Sequence, residues 1–175
     1  GQLPGGASMM YTSDTTGPPK GVVATGGDNS LLFTILNATR VKAGETVYTA
    51  LPLFHGNALM ITGFGSMILD AKFALAERFS ASRFFDECRK YEAVEFNTLG
   101  GMIPILMKQP PRPDDRNHKV RVVFSAACPA SVWREFEERF GVRLIEGYGM
   151  VDSPGFLLND VGKVGSMGKP IGGVE

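Results

Sequence analysis

The sequence has few cysteines and histidines, the residues of disulfide-bonded and metal-binding proteins, and it lacks the long apolar run of a membrane-spanning protein. It contains two cysteines and two histidines among 175 residues. Cys88 and Cys128 are far apart and lack the spacing of metal ligands, so we expect free thiols in a reducing compartment such as the cytoplasm. The longest apolar stretch, residues 58–69, is interrupted by glycines and is too short to span a bilayer. No segment resembles a signal peptide.

An excess of charge of one sign is also missing. Lys plus Arg and Asp plus Glu are equal at 18 each, so the chain has no general attraction for nucleic acid or anionic membranes. Any anion site must therefore be local. An apolar fraction of 43% with 10% aromatic residues argues against a disordered chain, and the length suits one domain with a sizeable core.

Strand and helix patterns alternate along the chain. Strands are predicted at residues 7–11, 21–24, 46–50, 71–76, 94–98, 120–125 and 142–145, and helices at 30–36, 57–69, 81–91, 100–108 and 129–140. This alternation predicts an α/β fold with a largely parallel β-sheet flanked by helices. Ligands of such sheets bind beyond the carboxyl ends of the strands, where we expect His55, residues 125–129 and Tyr148 to lie in loops.

The same patterns give expectations for individual residues. Asp28 or Asn29 is expected to cap the first helix and Ser80 the third. The segments 57–69 and 71–76 are predicted to be a buried helix and a buried strand. Cys88 is expected to be a structural core residue, residues 108–119 a solvated connection, and His118 a surface residue.

A hydroxyl-rich segment lies between the first two predicted strands. It reads Tyr11-Thr12-Ser13-Asp14-Thr15-Thr16-Gly17-Pro18-Pro19-Lys20-Gly21. Hydroxyl and backbone N–H groups donate to phosphate oxygens, Gly17 permits close approach, and Lys20 adds a positive charge. A polar surface hairpin would have the same composition, and the Walker pattern is absent. The residues alone therefore leave both a polyphosphate site and a surface turn open.

Three motifs, in the expected order, resemble the adenylate-forming (AMP-binding) superfamily and, within it, the acyl-CoA synthetases. The motifs are Thr12-Ser13-x-Thr15-Thr16-Gly17-x-Pro19-Lys20-Gly21, Leu51-Pro52-Leu53-Phe54-His55-Gly56 and Glu146-Gly147-Tyr148-Gly149-Met150. The segment Gly165-Ser166-Met167-Gly168-Lys169-Pro170 is similar to the one that follows them. The resemblance implies that residues 1–175 form a single partial AMP-binding domain, the central part of a large domain. An N-terminal subdomain and a C-terminal domain with the catalytic lysine would lie outside it, so this segment alone is expected to be inactive.

The resemblance also implies a two-step reaction. A carboxylate attacks the α-phosphorus of ATP to give an acyl-adenylate and pyrophosphate, and the thiol of CoA then displaces AMP. Lys20, His55 and Asp152 would be catalytic, with Asp152 as the ligand of Mg²⁺. The nucleotide would be bound by Thr12, Ser13, Thr15, Thr16, Gly17, Lys20, Ala126, Ala127, Cys128, Gly147, Tyr148, Gly149 and Met150. The partners would be a fatty or other carboxylic acid, ATP and CoA, and exposed apolar surface would favour self-association or a homo-oligomer.

Three departures from the superfamily pattern fall in the ATP-contacting motifs. Asp14 stands where glycine is usual, Val151 where threonine is usual, and Asp152 where glutamate is usual. An extra carboxylate near phosphate and a lost hydroxyl both weaken nucleotide binding. They leave open a second function, that of a non-catalytic or decayed nucleotide- or acyl-binding homologue.

Ordinary structural roles also remain open for several candidate residues. Tyr148 could be a core aromatic residue at a strand end, and His55 a hydrogen-bonded structural residue. Residues 99–102 could line an acyl site or form the entry turn of a helix.

Overall fold

The computed structural model describes residues 7–12, 18–25, 30–150 and 155–171. Two strands form an antiparallel hairpin, β1 (Ala7–Thr12) and β2 (Lys20–Thr25). The other strands are β3 (Thr46–Thr49), β4 (Lys72–Leu75), β5 (Ala93–Leu99), β6 (Val122–Ala126), β7 (Arg143–Gly149), β8 (Phe156–Asn159) and β9 (Lys169–Ile171). They form one sheet in the order β4-β3-β5-β6-β7-β8-β9.

The helices lie between these strands in the chain. They are α1 (Ser30–Thr39), π1 (Asn57–Phe64), its continuation α2 (Gly65–Ile68), α3 (Phe84–Lys90), α4 (Met102–Met107) and α5 (Ala130–Phe140). The strands from β4 to β7 are parallel, whereas β8 and β9 pair antiparallel. The predicted α/β fold with a largely parallel, helix-flanked sheet is therefore confirmed.

Each face of the sheet carries its own apolar core. The larger core lies under α3, α4 and α5 and includes Trp133, Phe84, Phe96 and Phe136, all at most 1% exposed. A second cluster lies under α1 and joins Ile35 to side chains of β6, β7 and β8. Because helices bury apolar surface on both faces, the parallel strands are shielded as such sheets require.

Helix α5 packs on the sheet through an apolar stripe. Trp133, Phe136 and Phe140 recur at helical spacing and are buried, as predicted. Pro129 precedes the first residue in an extended conformation, and Gly141 ends the helix with φ +67°, the left-handed conformation that glycine adopts readily. The helix is thus held by its apolar stripe, and most of its charged residues face solvent.

The helix at residues 57–68 differs from the predicted buried helix. Gly65 N–H donates to Met60 O, a five-residue step of the kind that defines a π-helix. Small and polar residues such as Ala58, Thr62 and Ser66 face the protein, while Met67 is 75% exposed. Gly65 permits the contact with α1, because a Cβ there would lie 2.6 Å from Leu36 Cδ2.

Two further expectations about burial and capping are corrected. Strand β4 is an exposed edge strand rather than a buried one, because only β3 pairs with it. Helix α3 begins after Arg83 without a side-chain cap, so Ser80 does not cap it. Asp28 and Asn29 lie outside the described residues. Within those residues, no helix combines the length and the apolar character needed to cross a membrane.

The polar connection at residues 108–119 is tied to the helices by ion pairs. Arg139 pairs with Asp115 at 2.7 Å, and both side chains are largely buried. Its guanidinium also donates to the carbonyls of Met107 and Pro110. His118 stacks on Phe85 with ring centroids 5.0 Å apart and is half-buried, so the prediction of a surface histidine is wrong.

Candidate functional site

The carboxyl ends of β3, β5, β6 and β7 meet at one edge of the sheet, because these strands are parallel neighbours. His55 follows β3, Gly100 follows β5, the turn at residues 126–128 closes β6, and Tyr148 ends β7. A hydrogen bond from Gly100 N–H to Ala126 O, 2.9 Å long, joins two of these segments. The fold thus brings the second and third sequence motifs to the edge where such sheets bind ligands.

The turn after β6 has an unusual backbone that is held by a buried carboxylate. Ala127 has φ +67°, which is uncommon for a residue with a Cβ. Its N–H donates to Glu146 Oε1 at 2.6 Å, and Cys128 N–H donates to the same oxygen at 3.1 Å. Glu146 was quoted within a motif but was not predicted as a site residue. The available signal was an acidic residue directly after the apolar pair Leu144 and Ile145.

Glu146 belongs to a row of three polar residues across the sheet. Thr98 pairs in register with Ser125, and Ser125 pairs with Glu146. All three are at most 5% exposed. Burial raises the pKa of Glu146, while hydrogen bonds from Cys128, Ala127 and Ser125 act in the opposite direction without cancelling it. The row therefore places a hydrogen-bonded carboxyl group directly beneath the turn.

Tyr148 lies on the strand itself, not in a loop as predicted. Residues 147–149 pair with β8, and Tyr148 faces Leu157 in that ladder. Its side chain is 44% exposed, so it is not a core residue. A Cβ on Gly147 would lie 2.4 Å from Phe124 Cζ, which shows that glycine is needed for this strand to pack. The ring is thus presented on a rigid strand with one side open.

His55 is exposed in the loop that follows β3. Asn57 N–H donates to His55 Nδ1 at 3.3 Å, and His55 N–H donates to Pro52 O. Desolvation lowers the pKa of His55, which favours the neutral ring. Because Nδ1 accepts a hydrogen bond, the neutral ring carries its proton on Nε2, where it can be donated to a ligand oxygen.

The predicted phosphate loop is framed by the β1–β2 hairpin. Thr12 and Lys20 are partners at the end of the hairpin where the hydroxyl-rich segment connects the two strands, and Lys20 is exposed. Met10 lies close to the His55 loop, since a Cβ on Gly56 would be 3.4 Å from Met10 Cε. The hairpin therefore approaches the second motif.

Several predicted site residues cannot be placed. Ser13, Thr15, Thr16, Gly17 and Asp152 lie outside the described residues, as do Asp14 and Val151. Among the residues that are described, no three His, Cys, Asp or Glu side chains form a group that could hold a metal ion. Met150 is exposed directly after β7.

Both cysteines are buried and free of disulfides, as expected. Burial raises the pKa of Cys128 to about 12 and shifts that of Cys88 upward as well. Neither thiol is therefore a reactive thiolate at neutral pH, which fits a structural role for Cys88.

Comparison with known sequences decides the family. A family model described as AMP-binding enzyme matches residues 6–175. The chain belongs to the AMP-binding enzyme family. It is similar to long-chain fatty acid transport protein 2 of Rattus norvegicus, with 39% identity over 93% of the chain and 26% of that protein. A medium/long-chain-fatty-acid–CoA ligase of Mycobacterium tuberculosis is 36% identical over 87% of the chain and 26% of the ligase.

Solved structures of AMP-binding enzymes share the fold. A complex of a double mutant of o-succinylbenzoate CoA synthetase from Bacillus subtilis with a product analogue has a TM-score of 0.75 and 29% identity. The match covers 97% of this chain and 36% of that one. The same enzyme in complex with ATP and magnesium ion has a TM-score of 0.70 and 27% identity, over 93% of this chain and 35% of the other. The chain spans about a quarter of the length of the two relatives named above, the transport protein and the ligase, at 26% of each.

Proposed function

We propose that this chain is the central, nucleotide-binding part of an ATP-dependent acyl-CoA synthetase. The parent would activate a carboxylic acid as its acyl-adenylate, with release of pyrophosphate, and transfer the acyl group to CoA. The observation that carries the proposal is the meeting of His55, the turn at residues 126–128 and Tyr148 at one sheet edge. Similarity to a fatty-acid–CoA ligase favours this function over the non-catalytic homologue.

The adenine is proposed to bind between the ring of Tyr148 and the turn formed by Ala126, Ala127 and Cys128. The half-exposed tyrosine ring offers a flat surface for stacking. Gly147, Gly149 and Met150 would complete this side of the site. Because Tyr148 lies on a strand and the turn is hydrogen-bonded to Glu146, both proposed walls would be in place before the ligand arrives, which favours binding.

The phosphates are proposed to bind at the end of the β1–β2 hairpin. Lys20 would contact the leaving phosphates, together with Thr12, Ser13, Thr15, Thr16 and Gly17. Magnesium would arrive with ATP, with Asp152 as its protein carboxylate, because Mg²⁺ commonly uses one or two carboxylates plus phosphate oxygens. Its chemical contribution would be to neutralise the charge that two anions bring together.

The acid is proposed to bind near His55, whose Nε2–H can donate to a carboxylate oxygen and orient it towards the α-phosphorus. The names of the relatives support a medium- or long-chain fatty acid, and hence a role in fatty acid metabolism, with CoA as the acceptor. We place the reaction in the cytoplasm, since both thiols are free. Exposed apolar side chains such as Phe54 and Met67 support self-association or a homo-oligomer.

Titration calorimetry of the chain with Mg-ATP and with AMP tests the nucleotide site. Lys20→Ala is expected to weaken Mg-ATP binding roughly 10- to 100-fold, because a hydrogen bond to a charged group is worth about 1.5 to 3 kcal/mol. The effect on AMP should be smaller, since AMP lacks the leaving phosphates.

Lys72→Ala is the matched control. Lys72 is also exposed and lies at the start of a strand, so the substitution changes the net charge equally at a site away from the hairpin. Equal affinities for the two variants would argue against a role of Lys20 in phosphate binding. A folded chain that binds neither ligand would contradict the proposed nucleotide site.

A further inference from the structure

In the row formed by Thr98, Ser125 and Glu146, Glu146 contacts the proposed site only through the backbone of the 126–128 turn. Glu146 is 5% exposed and has its carboxylate against the backbone of the turn, not against the open edge. Its Oε1 accepts from Ala127 N–H at 2.6 Å and from Cys128 N–H at 3.1 Å, and Oε2 lies 3.4 Å from the same Cys128 nitrogen. The carboxylate is therefore committed to the protein backbone and is not available to a ligand.

The turn requires such support because of its backbone geometry. A left-handed conformation at a non-glycine residue is strained and persists only where surrounding contacts enforce it. Ala127 has this conformation, and two successive N–H groups of the turn point to one carboxylate. Hydrogen bonds from N–H groups to an ionised acceptor are among the stronger ones in proteins.

The carboxylate is itself held from the sheet. Ser125 donates its hydroxyl to Glu146, and the two residues are paired in register on neighbouring strands. Both are buried, as is Thr98 on the next strand. The carboxylate is thus held in place by strands β6 and β7, and its hydrogen bonds to Ala127 and Cys128 hold the turn in place.

We propose that Glu146 is a positioning residue that holds residues 126–128 in the conformation needed to form one wall of the adenine site. This inference rests on the proposed function for its ligand. Glu146 does not contact the nucleotide. It acts by accepting hydrogen bonds from Ala127 and Cys128, and therefore requires an acceptor at the length of a glutamate side chain.

Two substitutions separate acceptor position from charge. Glu146→Gln keeps the side-chain length and one acceptor oxygen, whereas Glu146→Asp keeps the charge but withdraws it by one methylene. We expect Glu146→Gln to bind AMP within about threefold of the wild type, since its oxygen still reaches both N–H groups. Glu146→Asp and Glu146→Ala are expected to weaken AMP binding at least tenfold.

Amide hydrogen exchange gives a readout that does not depend on the nucleotide. In the Asp and Ala variants the amides of Ala127 and Cys128 should exchange at least tenfold faster, while amides in the centre of β6 keep their rates. Binding of tripolyphosphate, which lacks adenine, should be unchanged in all variants. Glu95→Gln is the control, because it replaces a second buried glutamate of the same sheet, on β5 and two strands away from β7.

The outcomes are distinct for this inference and for the proposed function. The inference is overturned if Glu146→Asp leaves AMP binding and both exchange rates within twofold of the wild type. It is also overturned if Glu146→Gln, while folded, is as impaired as Glu146→Asp, or if tripolyphosphate binding falls in parallel with AMP binding. A wild-type chain that binds no AMP, with exchange still accelerated in Glu146→Asp, would overturn the nucleotide function and the adenine role but would confirm that Glu146 holds the turn.

Discussion

Glu95→Gln is expected to raise the free energy of unfolding, and this increase should be on the order of 4 kcal/mol larger at pH 9 than at pH 4. Glu95 lies in the interior strand β5 and is 3% exposed, and its Oε1 has no hydrogen-bond partner. It borders a cavity of about 10 Å³ lined by Leu36, Val47 and Ile61, among others. An ionised carboxylate is poorly stabilised in such surroundings.

The direction of this pH dependence follows from proton binding. Burial raises the pKa of Glu95 to about 8 from the ordinary value of 4.5, although a backbone hydrogen bond from Phe124 opposes the shift. Between pH 4.5 and about pH 8, the folded chain keeps a proton on Glu95 that the unfolded chain has lost. Stability contributed by Glu95 is therefore complete below the unfolded pKa and falls by about 1.4 kcal/mol per pH unit until the folded pKa is passed. Glutamine does not titrate, so the variant lacks this loss.

The measurement is urea unfolding of the wild type and of Glu95→Gln from pH 4 to pH 9, followed by circular dichroism. Glu92→Gln is the control, because Glu92 lies just before the same strand but is exposed and paired with Lys119. Its substitution should not produce a comparable divergence between acid and alkaline pH. Parallel stability profiles for the wild type and Glu95→Gln would show that Glu95 is not buried in the folded chain.

Gly147→Ala is expected to lower the free energy of unfolding by about 2 to 3 kcal/mol. The new methyl group would lie 2.4 Å from Phe124 Cζ and 2.9 Å from Phe156 Cζ. Phe124 is 1% exposed, so it has little room to move. Because Tyr148 is the next residue, a displaced strand should also weaken AMP binding.

Gly101→Ala is the matched control for this substitution. Gly101 follows β5 near the same edge of the sheet, with φ −74°, and the nearest atom to an added Cβ is 4.0 Å away. The free energy of unfolding of Gly101→Ala should stay within about 0.5 kcal/mol of the wild type. Urea unfolding measures both variants, and similar stabilities for the two would refute the close packing of β7 on Phe124.

The regular part of the fold could be predicted because its signals are local. The apolar stripe of α5, with Trp133 and Phe136, and the strand at residues 120–125 follow from spacing alone. The exposed position of β4 could not be predicted, since Phe73 and Leu75 are as apolar as residues of a central strand. Strands β8 and β9 were missed because both are short, and they are separated by a segment with three glycines.

The candidate site was predicted only in part, because several of its contacts are distant in sequence. The motifs indicated His55 and Tyr148, which the fold brings to one edge of the sheet. Glu146 was overlooked because its partner, the turn at 126–128, lies 18 to 19 residues earlier in the chain. The burial of His118 depends likewise on Phe85, which no local pattern connects to it.

The position of Trp133 provides an optical probe of the protein. It is the single tryptophan of the chain, and its indole is 1% exposed within the core beneath α5. Its fluorescence should therefore be emitted at short wavelength in the native protein and should shift to the red when water reaches the ring. Because the indole lies in the interior and Tyr148 at the sheet edge, a nucleotide should leave this signal nearly constant, so emission reports folding separately from binding.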